Sequence, residues 1–352
     1  MPFPILLQTV LDLTSPGRVV PAEHTPLYAG VPSTIIGADG AKFGGGMVEP
    51  IGCNSKLLTS SNFLGTAGTA AGAEAEFELC GPSTLGQAMG ISSQFLATLF
   101  ARRKADTAGS SLLYTIDYRA DQAIGGNELM LLEQQDWTTR MAYGGDGGLL
   151  DCTGITPLLR RKVSRIVCCP SVQMVPTESN KQSWLVSSNG VSALFGMQPD
   201  GSDQLGRSGA AVKECMQAFP TSDFEALWAS ATSAFAAGRP ITHVQRSTVM
   251  RNDYLGVPGG WEVEVLWVIN GACSAWSDQL PEDTKAALTE ARGSYNAPHL
   301  VKEAFEPTGL GPFPYVPTYC MRYTPELVVM LSNQVAHAVL SVGDKIKEMA
   351  KS

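Results

Sequence analysis

The run Gly144-Gly145-Asp146-Gly147-Gly148 constrains this chain more than any other feature of its sequence. Glycine loses more conformational freedom on folding than any other residue, so such a cluster is a costly filler for a helix or strand interior. The apolar stretch from Glu128 to Tyr143 therefore reads as ending abruptly in a forced loop at Gly144. Within that loop Asp146 has neighbours without side chains on both sides. Its carboxylate is unscreened, and the backbone around it is free to adopt angles that other residues resist. Such a setting suits a catalytic carboxylate; it equally suits an ordinary surface aspartate in a glycine-rich turn.

The flanking sequence supplies regular elements. Pro157 to Val163 reads as a short helix, and Arg165-Ile166-Val167-Cys168-Cys169 as a buried strand stopped by Pro170. Upstream, glycine clusters at Gly37 to Gly46 and Gly65 to Gly72 punctuate short apolar runs, the second reading as a mobile surface insert. Leu85, Met89, Phe95, Leu96, Leu99 and Phe100 mark one apolar helix face, with Arg102, Arg103 and Lys104 at its negative end. Downstream, the polar passage Gln198 to Gly209 precedes two helices. The second opens on the capping-box pattern Ser222-Asp223-Phe224-Glu225 and closes at Gly238. Trp261 to Ile269 alternates as a strand with Val263, Val265, Trp267 and Ile269 on one side. Thr324-Pro325-Glu326 then starts a helix whose stripe runs through Leu327, Leu331, Val335, Val339, Val342 and Ile346. Helices interleave with strands, so the expected fold class is α/β, a layered sheet flanked by helices. Residues 1–352 read as one domain, with the Asp-Gly-Gly segment in 1–175 and further strands and helices in 176–352.

Composition narrows the function classes. The 352 residues carry 25 Lys plus Arg against 33 Asp plus Glu, a formal charge of -8, and 44% are hydrophobic. That is enough apolar surface for a real core and excludes disorder as an overall description. Net acidity argues against nucleic acid, whose phosphates are recognised mainly through Lys and Arg. The short basic clusters Arg102 to Lys104 and Arg160 to Lys162 read as solvated helix ends, with anionic headgroups as their other use. No window approaches the roughly 20 apolar residues of a membrane span. The Met1 to Leu7 segment has no signal-peptide pattern, so the expected location is intracellular, cytoplasmic or organellar, with membrane contact at most peripheral. Eight cysteines show no metal-ligand spacing and read as reduced, mostly buried thiols. His24, His243, His299 and His337 lie far apart in sequence and read as surface or satisfied core residues. No metal and no cofactor is expected. Trp261, Trp267 and Trp276 read as core and interface residues.

Gly144-Gly145-Asp146-Gly147-Gly148, followed by Leu149-Leu150-Asp151-Cys152-Thr153, Pro157-Leu158-Leu159-Arg160-Arg161 and Ile166-Val167, resembles the aspartate segment of patatin-like and cytosolic phospholipase A2-type acyl hydrolases. Pro2-Phe3-Pro4-Ile5 is similar to the proline-rich strand start of the phospholipase A2 and lysophospholipase B branch. Thr25-Pro26-Leu27-Tyr28-Ala29-Gly30 resembles its aromatic-Pro-Tyr-x-x-Gly segment, Lys42-Phe43-Gly44 its Gly-x-x-Phe element, and Gly90-Ile91-Ser92-Ser93 its Gly-Thr-Ser-Ser helix start. These matches occur in the family's order. Later stretches, Tyr254 to Trp261 and Phe313 to Thr318 leading to Tyr323-Thr324-Pro325-Glu326, look like segments of microbial members.

The resemblance implies ester hydrolysis of glycerophospholipids or lysophospholipids by a Ser-Asp dyad. In it Asp146 is the base, and Gly145, Gly147 and Gly148 allow the close approach of the serine. The family's Gly-x-Ser-x-Gly elbow, however, does not occur before Asp146. Gly206-Arg207-Ser208-Gly209-Ala210 is the nearest imitation, but it follows Asp146 and ends in Ala; Ser92 reads better as a helix-start residue. Gly44-Gly45-Gly46 reads as a flexible turn beside Phe43, or else as an imitation of an oxyanion loop. Cys152 stands where relatives usually have Asn, and Cys168-Cys169-Pro170 where their next strand often ends in Asp. The fold implied is that of a phospholipase-type catalytic domain lacking its N-terminal part. Either a companion polypeptide supplies the serine, or the chain is a catalytically inactive structural or binding subunit of a larger assembly. A phospholipid or membrane surface is the further partner expected.

Overall fold

In the computed structural model the described residues are 3–11, 19–36, 42–48, 55–57, 77–79, 89, 128–132, 139–171, 175–177, 181, 191–197, 216–294, 309–311, 313–316 and 323–351. The Gly65 to Gly72 insert, the Leu85 to Phe100 helix with its basic end (Met89 apart) and the Gln198 to Gly209 passage, as expected from sequence, lie outside them. The chain divides into two compact units. One comprises Met1–Arg161, Gly201–Met216 and Arg251–Pro258; the other comprises Lys162–Asp200, Gln217–Met250 and Gly259–Ser352. Helices and sheets mix in the chain, as the sequence pattern implies.

The first unit is built on a six-stranded sheet of β1 (Leu6–Leu11), β2 (Val19–His24), β3 (Ala29–Ile36), β4 (Lys42–Val48), β7 (Glu128–Leu132) and β8 (Thr139–Asp146), in the order β4-β3-β2-β1-β8-β7. Every neighbouring pair is antiparallel. A separate two-stranded ladder joins β5 (Ser55–Leu57) to β6 (Phe77–Leu79). Thr25 shapes the turn between β2 and β3: its hydroxyl donates to the Tyr28 carbonyl at 2.8 Å and accepts from the Tyr28 amide at 3.0 Å. A short helix, α1 (Thr156–Arg160), follows β8 where the sequence predicts one.

Glycines of two clusters lie in strands and not in loops. Gly144 and Gly145 are not loop residues, because β8 runs through them to Asp146, placing Gly144 opposite Val10 and Gly145 opposite Thr9. Flanked by β1 and β7, the strand gains ladder hydrogen bonds that offset the glycines' poor intrinsic preference. Gly44, Gly45 and Gly46 likewise form neither a turn nor an oxyanion loop. They lie within β4, opposite the point between Val31 and Thr34 where the register shifts, the kind of irregularity that glycine accommodates in a strand.

The second unit contains β9 (Arg165–Cys168), α2 (Val191–Leu194), α3 (Thr221–Ala236), β10 (Ile241–Thr248), β11 (Glu262–Ile269), α4 (Ser274–Ser277), α5 (Glu282–Ser294), α6 (Pro325–Ser341) and α7 (Gly343–Ala350). Its sheet has the order β10-β11-β9, antiparallel between β10 and β11 and parallel between β11 and β9. β11 has the predicted inward set Val263, Val265, Trp267 and Ile269, and Leu266 and Val268 on its other side are buried too. β9 is half-buried rather than buried throughout: Ile166 and Cys168 face inward while Val167 is exposed, as befits the edge of a sheet.

An aromatic cluster lies beside the fully buried Trp267. Phe195 lies 5.3 Å from Phe219, 5.6 Å from Phe224 and 6.3 Å from Trp267 between ring centroids. A buried polar chain crosses the same region. The Trp267 indole donates to Gln245 Oε1 at 2.8 Å, the Gln245 amide to Ser247 Oγ at 2.8 Å, and the Ser247 hydroxyl to Asp223 Oδ2 at 2.7 Å. The expected capping box at Ser222 does not form. The cap position is Pro220, two residues earlier, with no side-chain cap, so Ser222 lies inside the first turn; its hydroxyl donates to Asp223 Oδ1 at 3.2 Å and Glu225 pairs with Lys181 instead. Gly238 does follow the helix end, at φ +63°.

The N-terminus of α6 matches its sequence signature: Thr324 Oγ1 accepts from the Leu327 amide at 3.1 Å and Pro325 opens the helix. The buried stripe is rotated relative to the expected one, running Leu327, Met330, Gln334 and Ala338, with Val335 left exposed. The helix also stops at Ser341, and α7 continues at an angle of 66°, so Val342 and Ile346 belong to the bend and the next helix. Phe195→Ala should lower unfolding free energy by about 3–5 kcal/mol, since a fully buried ring is removed from among three others. Urea unfolding measures this, and a loss below about 1 kcal/mol would show that the aromatic cluster can collapse onto the gap.

Candidate functional site

Asp146 ends β8, opposite Gln8 of the central strand β1, and its position is fixed from several directions. Its main-chain carbonyl accepts from the Thr9 hydroxyl at 3.0 Å. Its side chain turns back so that Oδ1 accepts from the Gly148 amide at 2.8 Å, capping a single turn of 3-10 helix over Gly147–Leu149. Among the described residues the second carboxylate oxygen accepts no hydrogen bond. Asp146 is half-buried, and burial raises its pKa above the ordinary aspartate value, only partly countered by the Gly148 amide. The result is a carboxylate anchored by one oxygen and harder to ionise than usual.

The glycines have separate reasons. A Cβ on Gly147 would stand 2.4 Å from the main-chain oxygen of Leu7, which cannot move without displacing β1. A Cβ on Gly148 would stand 3.1 Å from Asp146 Oδ1, crowding the capping contact itself. Gly145 is a strand residue in the ladder with Thr9, so it helps to position Asp146 from the sheet and not from a loop.

Beyond this turn Asp151 organises the approach to α1. Its buried carboxylate accepts from the Thr153 amide (2.8 Å) and hydroxyl (2.6 Å), the Gly154 amide (3.0 Å), and the Thr156 amide (2.9 Å) and hydroxyl (2.8 Å). Gly154 adopts φ +70°, a left-handed conformation that glycine takes without strain. Fully engaged, Asp151 is a structural carboxylate. Cys152 is exposed, yet its thiol donates to the Gly148 carbonyl at 3.0 Å. Desolvation of the sulfur, with the charges of Asp151 and Asp146, pushes that thiol up to about 12, so it is not a thiolate nucleophile near neutral pH.

The largest departure from the sequence reading concerns Arg160, whose side chain is buried rather than solvated; Arg161 is exposed, as is Lys162, yet Arg161 too is engaged by a buried acid. Glu23 of β2 is buried and receives both. Arg160 Nε donates to Glu23 Oε1 at 2.7 Å, its Nη2 adds a second bond to the same oxygen, and its Nη1 donates to the Leu255 carbonyl at 2.7 Å. Arg161 Nη2 donates to Glu23 Oε2 at 2.6 Å and to the Tyr28 hydroxyl, with its guanidinium 5.6 Å from the Tyr28 ring centroid. Burial alone would raise the pKa of Glu23, but the Arg161 hydrogen bond and the Arg160 charge hold it below the usual glutamate range. The residues concerned lie 137 and 138 positions apart, so no local pattern could pair them. The signal that existed was Tyr28 in its proline-turn segment.

Of the remaining candidates, Ser92, Ser208 and His299 lie outside the described residues. His24 is buried and His243 partly so, and desolvation lowers the pKa of both. Cys152, Cys168, Cys169 and Cys273 are free thiols, two buried and two exposed. Among the described residues no group of three His, Cys, Asp or Glu side chains could hold a metal ion, and no single helix is long and apolar enough to cross a membrane. No family model, no curated protein and no solved structure matches the chain.

What the site can do chemically follows from Asp146. It can accept a proton from a hydroxyl brought to its second oxygen. Two of the described neighbours do not serve as that donor: the Thr9 hydroxyl is engaged by the Asp146 carbonyl, and the Cys152 thiol is too weakly acidic.

Glu23→Gln should cost about 3–5 kcal/mol, because it leaves Arg160 buried without its counter-charge. Because the pKa of Glu23 is lowered on folding, its contribution is present above the unfolded value of about 4.3 and is lost as pH falls through the folded one. Denaturant midpoints for both proteins between pH 7 and pH 3 should therefore converge on acidification; a constant gap would assign the loss to packing. Cys152 should react with iodoacetamide at pH 8 far more slowly than an ordinary exposed thiol, as peptide mass mapping would read, and alkylation at the ordinary rate would show that its sulfur is solvated.

Proposed function

We propose that this chain supplies the base of a serine-aspartate acyl hydrolase of phospholipase A2 or lysophospholipase type, with Asp146 as base and a nucleophilic serine on a polypeptide segment outside this sequence. On this reading the α/β architecture is that of a patatin-like catalytic domain, acting in an intracellular compartment at a phospholipid surface. The observation that carries it is the state of Asp146: half-buried, pinned through one oxygen to the Gly148 amide, and raised in pKa. A carboxylate of ordinary pKa, about 4, is a weak base toward a serine hydroxyl; raising it by burial improves the match.

The chemistry then runs without histidine. Asp146 takes the proton as the serine oxygen adds to the ester carbonyl, and the tetrahedral adduct collapses to an acyl-serine. The proton held by Asp146 passes to the departing alkoxide oxygen of the glycerol moiety, which leaves as an alcohol. Water then attacks the acyl-serine, with Asp146 again accepting a proton and returning it to the serine as the fatty acid leaves. The close approach this needs is helped by Gly147 and Gly148, neither of which interposes a side chain.

The test is hydrolysis of lysophosphatidylcholine and of a p-nitrophenyl ester by the full chain, alone and co-expressed with a candidate serine-bearing segment. Activity confined to the pair, falling by about 10²–10⁴ with Asp146→Asn, is the expected result. The acidic limb of kcat/KM should lie above the ordinary aspartate range. Folding supplies the control. With the pKa raised on folding, the ionised form is disfavoured by the native state, so Asp146→Asn should fold at least as stably as the parent at pH 7, and the difference should vanish on acidification. No turnover in either state would overturn the dyad and favour an inactive binding subunit.

A further inference from the structure

The geometry points to a second site, a pocket in the second unit for a small, neutral, largely apolar molecule that presents N–H or O–H donors to Asn270 and Gln334. The cavity has a volume of about 210 Å³ and lies among the residues that follow β9, the end of β11 and one face of α6. At about 30 Å³ per water molecule it has space for several waters or one small organic molecule.

Two orphaned acceptors mark its wall. Gln334 is buried, and its amide nitrogen donates to the Gly271 carbonyl, while its Oε1 is buried without a partner among the described residues. Asn270 repeats the arrangement: Nδ2 donates to the Pro314 carbonyl at 2.8 Å, and Oδ1 is buried with no partner among the described residues. The amide orientations are fixed by these bonds, since flipping either group would set its oxygen against a carbonyl oxygen. Both unpaired atoms are therefore acceptors. Gln334 also occupies a place on α6 where the buried stripe otherwise carries Leu327, Met330 and Ala338. An aliphatic residue would fill that position without leaving a carbonyl unsatisfied.

The remaining wall sets the class of occupant. Pro170, Pro240, Val268, Leu331 and Val335 are apolar, and among the described residues none that lines it is Asp, Glu, Lys, Arg or His. An ion entering would lose its hydration with no opposite charge to receive it, so the ligand is neutral. A buried water needs two to four polar partners, so waters away from the two oxygens would find too few. An apolar body with a donor group satisfies both parts of the wall.

Aniline and toluene make the matched pair that tests this, differing in an amino group that is neutral near pH 7 and carries two donors against a methyl group. Each is titrated into the full chain and followed by protein-observed NMR. Aniline should shift the amides of 268–271 and 331–338 and bind at least about tenfold more tightly than toluene, the factor expected of about one satisfied buried acceptor. Gln334→Met and Asn270→Leu should each reduce that preference. If Gln334→Met does not fold, the half-buried Asn270 position still decides. Saturating aniline should also slow alkylation of Cys169, an exposed thiol of the cavity wall. Equal binding of the two probes would show that the oxygens keep water and the cavity is merely apolar. Absence of aniline binding up to about 10 mM would show that ordered water alone occupies it. Either result overturns the proposal.

Discussion

The burial of Glu23 between Arg160 and Arg161 is the interaction on which the rest of the first unit turns. A carboxylate sealed from water is tolerable only if its charge is met, and here two guanidiniums meet it from the helix that follows the Asp-Gly-Gly turn. The pair does more than neutralise a charge. It fixes α1 to β2 and, through Tyr28, to the end of the turn that leads into β3. With β8 hydrogen-bonded to β1 at one end of the segment and α1 clamped to β2 at the other, the intervening residues have little freedom. The position of Asp146 follows from those two attachments.

Three carboxylates within this small region illustrate how environment separates function from structure. Glu23 is held ionised by arginine, and Asp151 accepts five hydrogen bonds that fold the chain into α1. Among the described residues Asp146 accepts one side-chain hydrogen bond, from the Gly148 amide, and partial burial raises its pKa. Only the last leaves capacity for a reaction partner. The same contrast makes Asp146 costly to ionise and Glu23 costly to protonate, so acid acts on the two in opposite senses.

Sequence patterns revealed those parts of the fold that rest on local rules. The Thr324 cap with Pro325, the alternation of β11 and the short helix after Pro157 depend on neighbours within a few residues, and the structure has them. What could not be read depends on partners far along the chain. Gly144, Gly145 and Gly44 to Gly46 look like loop formers in isolation, but pairing with β1 and β3 overrides their preference. Arg160 looks like a solvent-facing residue, and the exposed Arg161 gives no sign of its ion pair, because nothing in their vicinity announces Glu23. Asp146 was legible as a residue freed from neighbours; its pinned oxygen and its raised pKa were not, because both arise from the backbone turning back on itself and from burial.

The hydrogen-bonded chain from Trp267 through Gln245 and Ser247 to Asp223 gives α3 something that aromatic packing alone does not. Greasy contacts are forgiving: a helix resting on rings can slip or swivel by several degrees and remain about as well covered. A succession of donors and acceptors ending on one carboxylate has a single setting, and a rotation that lifts Asp223 away from Ser247 strands polar atoms in a dry interior. The helix is thereby keyed to its sheet like a shaft on a spline, and the second unit owes the uniqueness of that seating to four polar side chains in an otherwise oily surrounding.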